Sequence, residues 1–292
     1  MGLSGYLQDP AFLKPALDGG PARLRETVLA RGTAWYREHP DEAAVIRGNL
    51  DRFGIDYDED IVGRIIEGIL LHYHEKLLPL CLGPSDYRAF LDDRVDGGEA
   101  LRLAVDVRSR GAALLCAASH FGGVELIAPY LASRGIAVTG ALRFATESFS
   151  AAARHHAARL QAEGGFAKVD FVEIGKPGVP AALAMAAVLR RGETLLSVFD
   201  EQTGYSKPCL LFGRKVSGGA GLDRILRLSN APAVLCAAFM VRTGEDQWRL
   251  RLQQVAGDSG EYIQELYNIA SKVYEEHVDQ WYFLHEEIPF ID

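Results

Sequence analysis

A histidine and a carboxylate stand five positions apart in Ala118-Ser119-His120-Phe121-Gly122-Gly123-Val124-Glu125, just after the apolar run from Ala112 to Ala117. An imidazole held by an acid keeps one ring nitrogen as a donor and leaves the other free to take a proton from an alcohol or amine. On an ideal helix five residues turn through about 500°, which leaves the two side chains roughly 140° apart, so they do not share a helical face. The workable arrangement puts His120 on the turn leaving a strand, lets Gly122 and Gly123 bend the chain, and folds Glu125 back from the first helical turn. Eight histidines and 39 acids in 292 residues supply about one such pair by chance, so spacing alone decides nothing.

Two further strand-like runs end in polar residues. Thr194 to Phe199 leads into Asp200-Glu201-Gln202-Thr203-Gly204, then Leu211-Phe212-Gly213-Arg214 and the small-residue stretch Ser217-Gly218-Gly219-Ala220-Gly221. Ile136 to Leu142 ends at Arg143. Strand ends are where open α/β sheets place their sites. Asp200 and Glu201 are candidates for a supporting carboxylate beside the imidazole; a capped turn with solvated acids is the other reading.

The order of these elements resembles the bacterial lipid A biosynthesis (lauroyl and myristoyl) acyltransferases, with their relatives that acylate phosphatidylinositol mannosides. The resemblance is carried by His120-Phe121-Gly122-x-x-Glu125, Arg143, Asp200-x-x-x-Gly204, Phe212-Gly213 before a small-residue turn, Ala231-Pro232-Ala233-Val234 and Gln280-Trp281-Tyr282-x-x-His285. Asn49-Leu50 also fits, and the likeness runs roughly from residue 45 to 285. It implies transfer of an acyl group from an acyl carrier protein or coenzyme A thioester to a hydroxyl or amine of an amphipathic or polar acceptor. By position it implies His120 as general base, Glu125 as its orienting acid, and Arg143 as a holder of polar or phosphate groups. It also draws Gly122, Gly123, Gly204 and Arg214 into the substrate site, with no cofactor beyond the donor thioester. The expected oxyanion donors are backbone amides of the Gly122-Gly123 turn, or Arg143.

The chain departs from the family in two places. Gln202 stands where a second acid is usual. The opening residues 1–10 have neither a basic region nor a long apolar stretch, and the apolar run from Ala231 to Val241 is well short of the roughly 20 residues that a spanning helix needs. These features imply a cytoplasmic protein, soluble or peripheral to the inner membrane face, and an acceptor more soluble than lipid A. A net charge of −8 argues against nucleic acid as a partner. Docking of an acidic carrier protein would need a local basic patch, for which Arg214, Lys215, Arg224 and Arg227 are the candidates. Cys81, Cys116, Cys209 and Cys236 are widely spaced, which implies reduced, buried thiols without a disulfide frame or zinc site.

The expected fold is α/β, a mostly parallel central sheet flanked by helices of the glycerolipid acyltransferase kind, with a helical N-terminal region. It divides into 1–105 helical, 106–257 sheet core and 258–292 C-terminal helix. Asp58 to Leu78 carries an apolar stripe at helical spacing and predicts a helix ending near Pro79, either core packing or the wall of an acyl channel. From residue 111 strands and helices alternate, the pattern of a parallel sheet covered on both faces. The alternating run from Trp248 to Val255 suits an edge strand.

Other chemistries fit less well. The chain has no Gly-x-Ser-x-Gly elbow, and its glycine-rich stretch lacks dinucleotide or P-loop spacing. His72-x-His74 and His155-His156 point their rings apart on helices, which suits packed or solvated histidines better than a metal site. A thioesterase using the same dyad on water, and a non-catalytic binding module for acyl groups or carrier proteins, remain the alternatives.

Overall fold

The computed structural model describes residues 2–143, 147–175, 180–201, 205–256 and 262–291. Helices α1 (Leu3–Leu7), α2 (Pro10–Asp18), α3 (Gly20–Glu38), α4 (Pro40–Phe53), α5 (Glu59–Cys81) and α6 (Pro84–Arg94) come first. A two-residue strand β1 (Val95–Asp96) and α7 (Gly98–Ser109) follow. The chain then alternates through β2 (Ala113–Gly122), α8 (Ile127–Ser133), β3 (Val138–Leu142), α9 (Glu147–Gly164), β4 (Val169–Glu173), α10 (Ala181–Arg190) and β5 (Thr194–Val198). A hairpin of β6 (Ser206–Leu211) and β7 (Arg214–Gly219) precedes α11 (Gly221–Ser229), β8 (Ala233–Gly244), β9 (Gln247–Gln254) and α12 (Tyr262–Glu276).

Among the described residues the main sheet has seven strands in the order β1-β9-β8-β2-β5-β3-β4. Strands β8, β2, β5, β3 and β4 run parallel, whereas β9 is antiparallel to β8. The fold is therefore α/β with a mostly parallel, helix-flanked mixed sheet. Strand β9 is not the edge that its alternation suggested, because β1 pairs beyond it through Val95 and Asp96. That short pairing leaves most of β9 with alternating exposure, which is all the pattern reports.

Strand β2 lies inside the sheet and reads as a continuous apolar run because both of its faces are covered. Leu115, Ala117 and Phe121 face the core shared with α3, α4, α5, α10 and α12. Leu114, Cys116 and Ala118 face a second core with α6, α7, α8 and α9. The period-2 alternation of one strand thus sorts the helices into two layers.

Helix α5 starts where the Asp58 carboxylate accepts from the Ile61 amide at 2.8 Å. It ends at Cys81, near Pro79 as its spacing predicted, with that proline inside the last turn. Leu77 and Leu78 are buried there, so packing holds a turn that has lost one backbone donor. Among the described residues no helix is long and apolar enough to cross a membrane.

Candidate functional site

Strand register brings the polar ends together. Ala118 of β2 pairs with Val198 of β5, so two residues further on His120 and Asp200 emerge side by side at the carboxyl edge of the sheet. Strand β3 is the next neighbour of β5, and Arg143 follows its last residue, exposed. His120, Asp200 and Arg143 therefore share the edge where open parallel sheets bind ligands.

His120 sits in an irregularity of β2. Between Ala118 opposite Ala238 and Gly122 opposite Met240, β2 uses two more residues than β8. Such a bulge re-aims the side chains it carries. Gly122 has φ of +54°, and a Cβ there would lie 2.1 Å from the Met240 carbonyl oxygen, so this position takes glycine on two counts.

Asp200 grips His120 twice. Its Oδ1 accepts from Nδ1 at 2.8 Å and its Oδ2 accepts from the His120 backbone N–H at 2.7 Å, on a carboxylate only 5% exposed. The grip fixes the ring and assigns the Nδ1 proton to the bond with Asp200, leaving Nε2 as the nitrogen that Asp200 does not engage. Glu201, half-exposed, places Oε1 3.4 Å from Nε2. Burial lowers the imidazolium pKa, but the Asp200 and Glu201 carboxylates outweigh it and raise the value to about 10. In return, the His120 hydrogen bond and the charges of His120 and Arg143 hold Glu201 below the usual carboxylate range.

This geometry corrects the local dyad. Glu125 lies in a 3-10 turn, Val124–Leu126, and its carboxylate faces Nε2 of His72 at 3.9 Å, with 42% of the side chain exposed. Among the described residues, the acids within 4 Å of the His120 ring are Asp200 and Glu201. The bulge turns the ring toward β5, away from the turn that carries Glu125. Gly123 is also withdrawn as an oxyanion donor, because its N–H donates to the Met240 carbonyl at 2.8 Å. Gly204 lies outside the described residues, with Gln202 and Thr203.

Arg214 is exposed at the tip of the β6–β7 hairpin, and no hydrogen bond or ion pair among the described residues joins it to the His120 cluster. Arg224 and Arg227 lie on α11, beyond the other end of that hairpin, roughly 17 Å of strand away. The glycine-rich stretch closes β7: the Gly219 N–H donates to the Phe199 carbonyl at 3.2 Å, which seats the hairpin under the Asp200-Glu201 turn.

The C-terminal segment supplies the other wall. Phe283 stacks on His120 at 4.8 Å between ring centroids, and Tyr282 meets it edge-on at 5.5 Å. Asn49 secures this segment by donating from Nδ2 to the carbonyls of Leu284 and Glu286, both at 2.9 Å. Asn49, His120, Asp200 and the Gln280–His285 segment, separate in sequence, are thus neighbours in space.

Sequence reasoning missed Glu75 of α5 and Arg242 of β8, whereas His72 is a packed histidine, one of the two readings its spacing offered. His72 stacks on Tyr282 at 3.8 Å. Glu75, 1% exposed, accepts from Arg242 Nε at 2.6 Å, Arg242 Nη2 at 2.8 Å and Trp248 Nε1 at 2.7 Å. The available signal was a charge on an apolar helical stripe, a residue type that is almost never fully buried without a partner.

The chain matches no protein-family model and no curated protein.

Proposed function

We propose that this protein is an acyltransferase that uses His120 as its general base and Asp200 as the acid that orients it. The donor is an acyl carrier protein or coenzyme A thioester, and the acceptor is a hydroxyl or amine on an amphipathic or polar molecule. The observation that carries the reading is the twofold grip of buried Asp200 on His120, which leaves Nε2 as the nitrogen that Asp200 does not engage, beside half-exposed Glu201. The spatial meeting of Asn49, His120, Asp200 and the Gln280–His285 segment supports the resemblance in motif order. A glycerolipid acyltransferase-like fold, with its helical N-terminal part and peripheral membrane contact, belongs to the same proposal.

In the reaction the acceptor oxygen or nitrogen attacks the thioester carbonyl carbon as Nε2 takes its proton. The tetrahedral oxyanion collapses, the carbon–sulfur bond breaks, and the imidazolium returns the proton to the departing thiolate. With Gly123 engaged, Arg143 is the oxyanion or headgroup partner in this scheme. A ring held between two carboxylates is an imidazolium at neutral pH and is no base. The incoming acceptor therefore displaces Glu201 from Nε2, and removing that carboxylate lets the imidazole shed its proton.

The test incubates the purified protein with acyl-carrier-protein and acyl-coenzyme A thioesters plus polar acceptors from a cell extract, following thiol release and acylated products by mass spectrometry. Release should require both an acceptor and His120, with His120→Ala slower by about two to four decades and still folded. Release at the same rate without acceptor makes the protein a thioesterase. Release that survives His120→Ala, or none with any donor, overturns the proposal.

A further inference from the structure

Two residues beyond His120, the backbone is held from three directions. The Gly122 carbonyl accepts from Arg242 Nη2 at 3.1 Å, the Gly123 N–H donates to the Met240 carbonyl at 2.8 Å, and Gly122 has no room for a Cβ. Arg242 is itself held at both ends. Gln280 Oε1 accepts from the Arg242 N–H at 2.8 Å while Gln280 Nε2 donates to the Arg242 carbonyl at 2.9 Å, so one amide side chain continues the strand edge. The guanidinium lies across Glu75 through two hydrogen bonds, and its side chain is 9% exposed.

A buried carboxylate and guanidinium are costly to desolvate, and apolar residues of similar size often stabilise a fold as well or better. What apolar residues do not supply is a planar donor fork that fixes a carbonyl and a carboxylate at once. Here the fork spans helix α5, strand β8 and the bulge of β2 beside the proposed base. Trp248 completes the arrangement by donating to the same Glu75 oxygen that Arg242 Nε reaches.

We propose that Glu75, Arg242 and Gln280 are positioning residues, a buried brace that sets the His120 turn so that the imidazole meets Asp200. None of them touches the reacting atoms: they act through the Gly122 peptide. The inference rests on the reading of His120 as the base, but its direct readout is the imidazole itself.

The experiment uses the full chain with 15N-labelled histidine, and NMR follows the tautomer and titration of His120, assigned by its loss in His120→Asn. Three variants are compared: Arg242→Lys, which keeps the charge but loses the fork; Gln280→Asn, which shortens the clamp; and Trp248→Phe, which removes one Glu75 hydrogen bond but leaves the Arg242 fork on Glu75 and the Gly122 carbonyl. Arg242→Lys and Gln280→Asn should shift the His120 titration toward 6.5, and acyl transfer should fall about 10- to 100-fold in kcat with KM little changed. Trp248→Phe should lower the melting temperature and leave the His120 resonances in place. If Arg242→Lys fails to fold, Gln280→Asn carries the same comparison. Folded Arg242→Lys or Gln280→Asn protein with wild-type His120 titration overturns the brace, as does an equal shift in Trp248→Phe. Absence of wild-type turnover with any donor sinks the acyltransferase reading alone, since the imidazole measurement stands without a substrate.

Discussion

Two histidines pack against one ring, Tyr282, and they hold protons oppositely. His72 lies face-on at 3.8 Å and His120 edge-on at 5.5 Å between centroids. Burial works against the imidazolium in both. At His72 the charges of Lys76 and Arg242 add to burial and hold the pKa well below 6.5. Its nearest acid, Glu125, stands 3.9 Å away and is partly exposed, too far for a hydrogen bond and screened by water. At His120 two carboxylates reverse the balance and raise the value to about 10. Neighbouring acids, and not depth, separate a proton-handling histidine from a packing one. The raised value belongs to the histidine on the β5 side, which Asp200 holds.

The sharpest way to break this contrast is to remove the acid on that side while keeping its shape. In Asp200→Asn, an amide NH2 has to meet either Nδ1–H or the His120 backbone N–H, and neither is an acceptor. The ring then loses its assigned tautomer, and acyl transfer should drop by about two to four decades, close to the loss in His120→Ala. Glu125→Gln, by contrast, should change the rate less than about tenfold, because that acid faces His72. Steady-state kinetics on the two variants decide it: equal losses would return Glu125 to the base and undo the assignment.

The same contrast explains what could be read from the chain. His120, Asp200, Glu201 and Arg143 each stood out as a polar residue at the end of an apolar run, because strand ends leave a local trace. Their pairing was read as one of two possibilities, with Asp200 and Glu201 as candidate carboxylates beside the imidazole, and the structure places both there. It depends on Ala118 standing opposite Val198, a register set by sheet assembly across 80 residues. The local carboxylate Glu125 was therefore given the place beside the ring that Asp200 occupies. The β6–β7 hairpin went unread because Phe212, with φ of 50°, and Gly213 turn between segments of weak alternation. Glu75 and Arg242 lie 167 positions apart, and only the misplaced charge on the α5 stripe hinted at either. The alternation of strands and helices after residue 111, in contrast, carries its own period and was legible almost element by element.

A smaller effect is expected at Glu201, which touches Nε2 but does not orient the ring. Glu201→Gln removes one of the two charges that keep His120 protonated, so its pKa should fall by about one unit while Asp200 continues to hold it above 6.5. The kcat/KM profile, which reports the free enzyme, should then begin its rise with pH about one unit lower in the variant, while kcat, set after Glu201 has left Nε2, keeps its profile within a few-fold of wild type. An unshifted kcat/KM profile would mean that Glu201 does not hold the proton of the free enzyme and that Asp200 alone sets its pKa.

The mildest consequence concerns stability, where the two histidines act in opposite pH windows. His120 keeps a proton in the native state that the unfolded chain releases near 6.5, so its stabilisation is complete below that pH and is lost as pH rises through about 10. His72 refuses a proton that the unfolded chain takes up below 6.5, so it destabilises the fold as pH falls from there. Between them the urea midpoint should be highest near pH 6.5. His72→Phe keeps an aromatic face against Tyr282 and removes the buried imidazole. Its midpoint should fall less than wild type between pH 6.5 and 5, with the alkaline limb unchanged. If the acid limb keeps its slope in His72→Phe, then His72 takes up its proton inside the fold, and the two sides of Tyr282 are electrostatically alike after all.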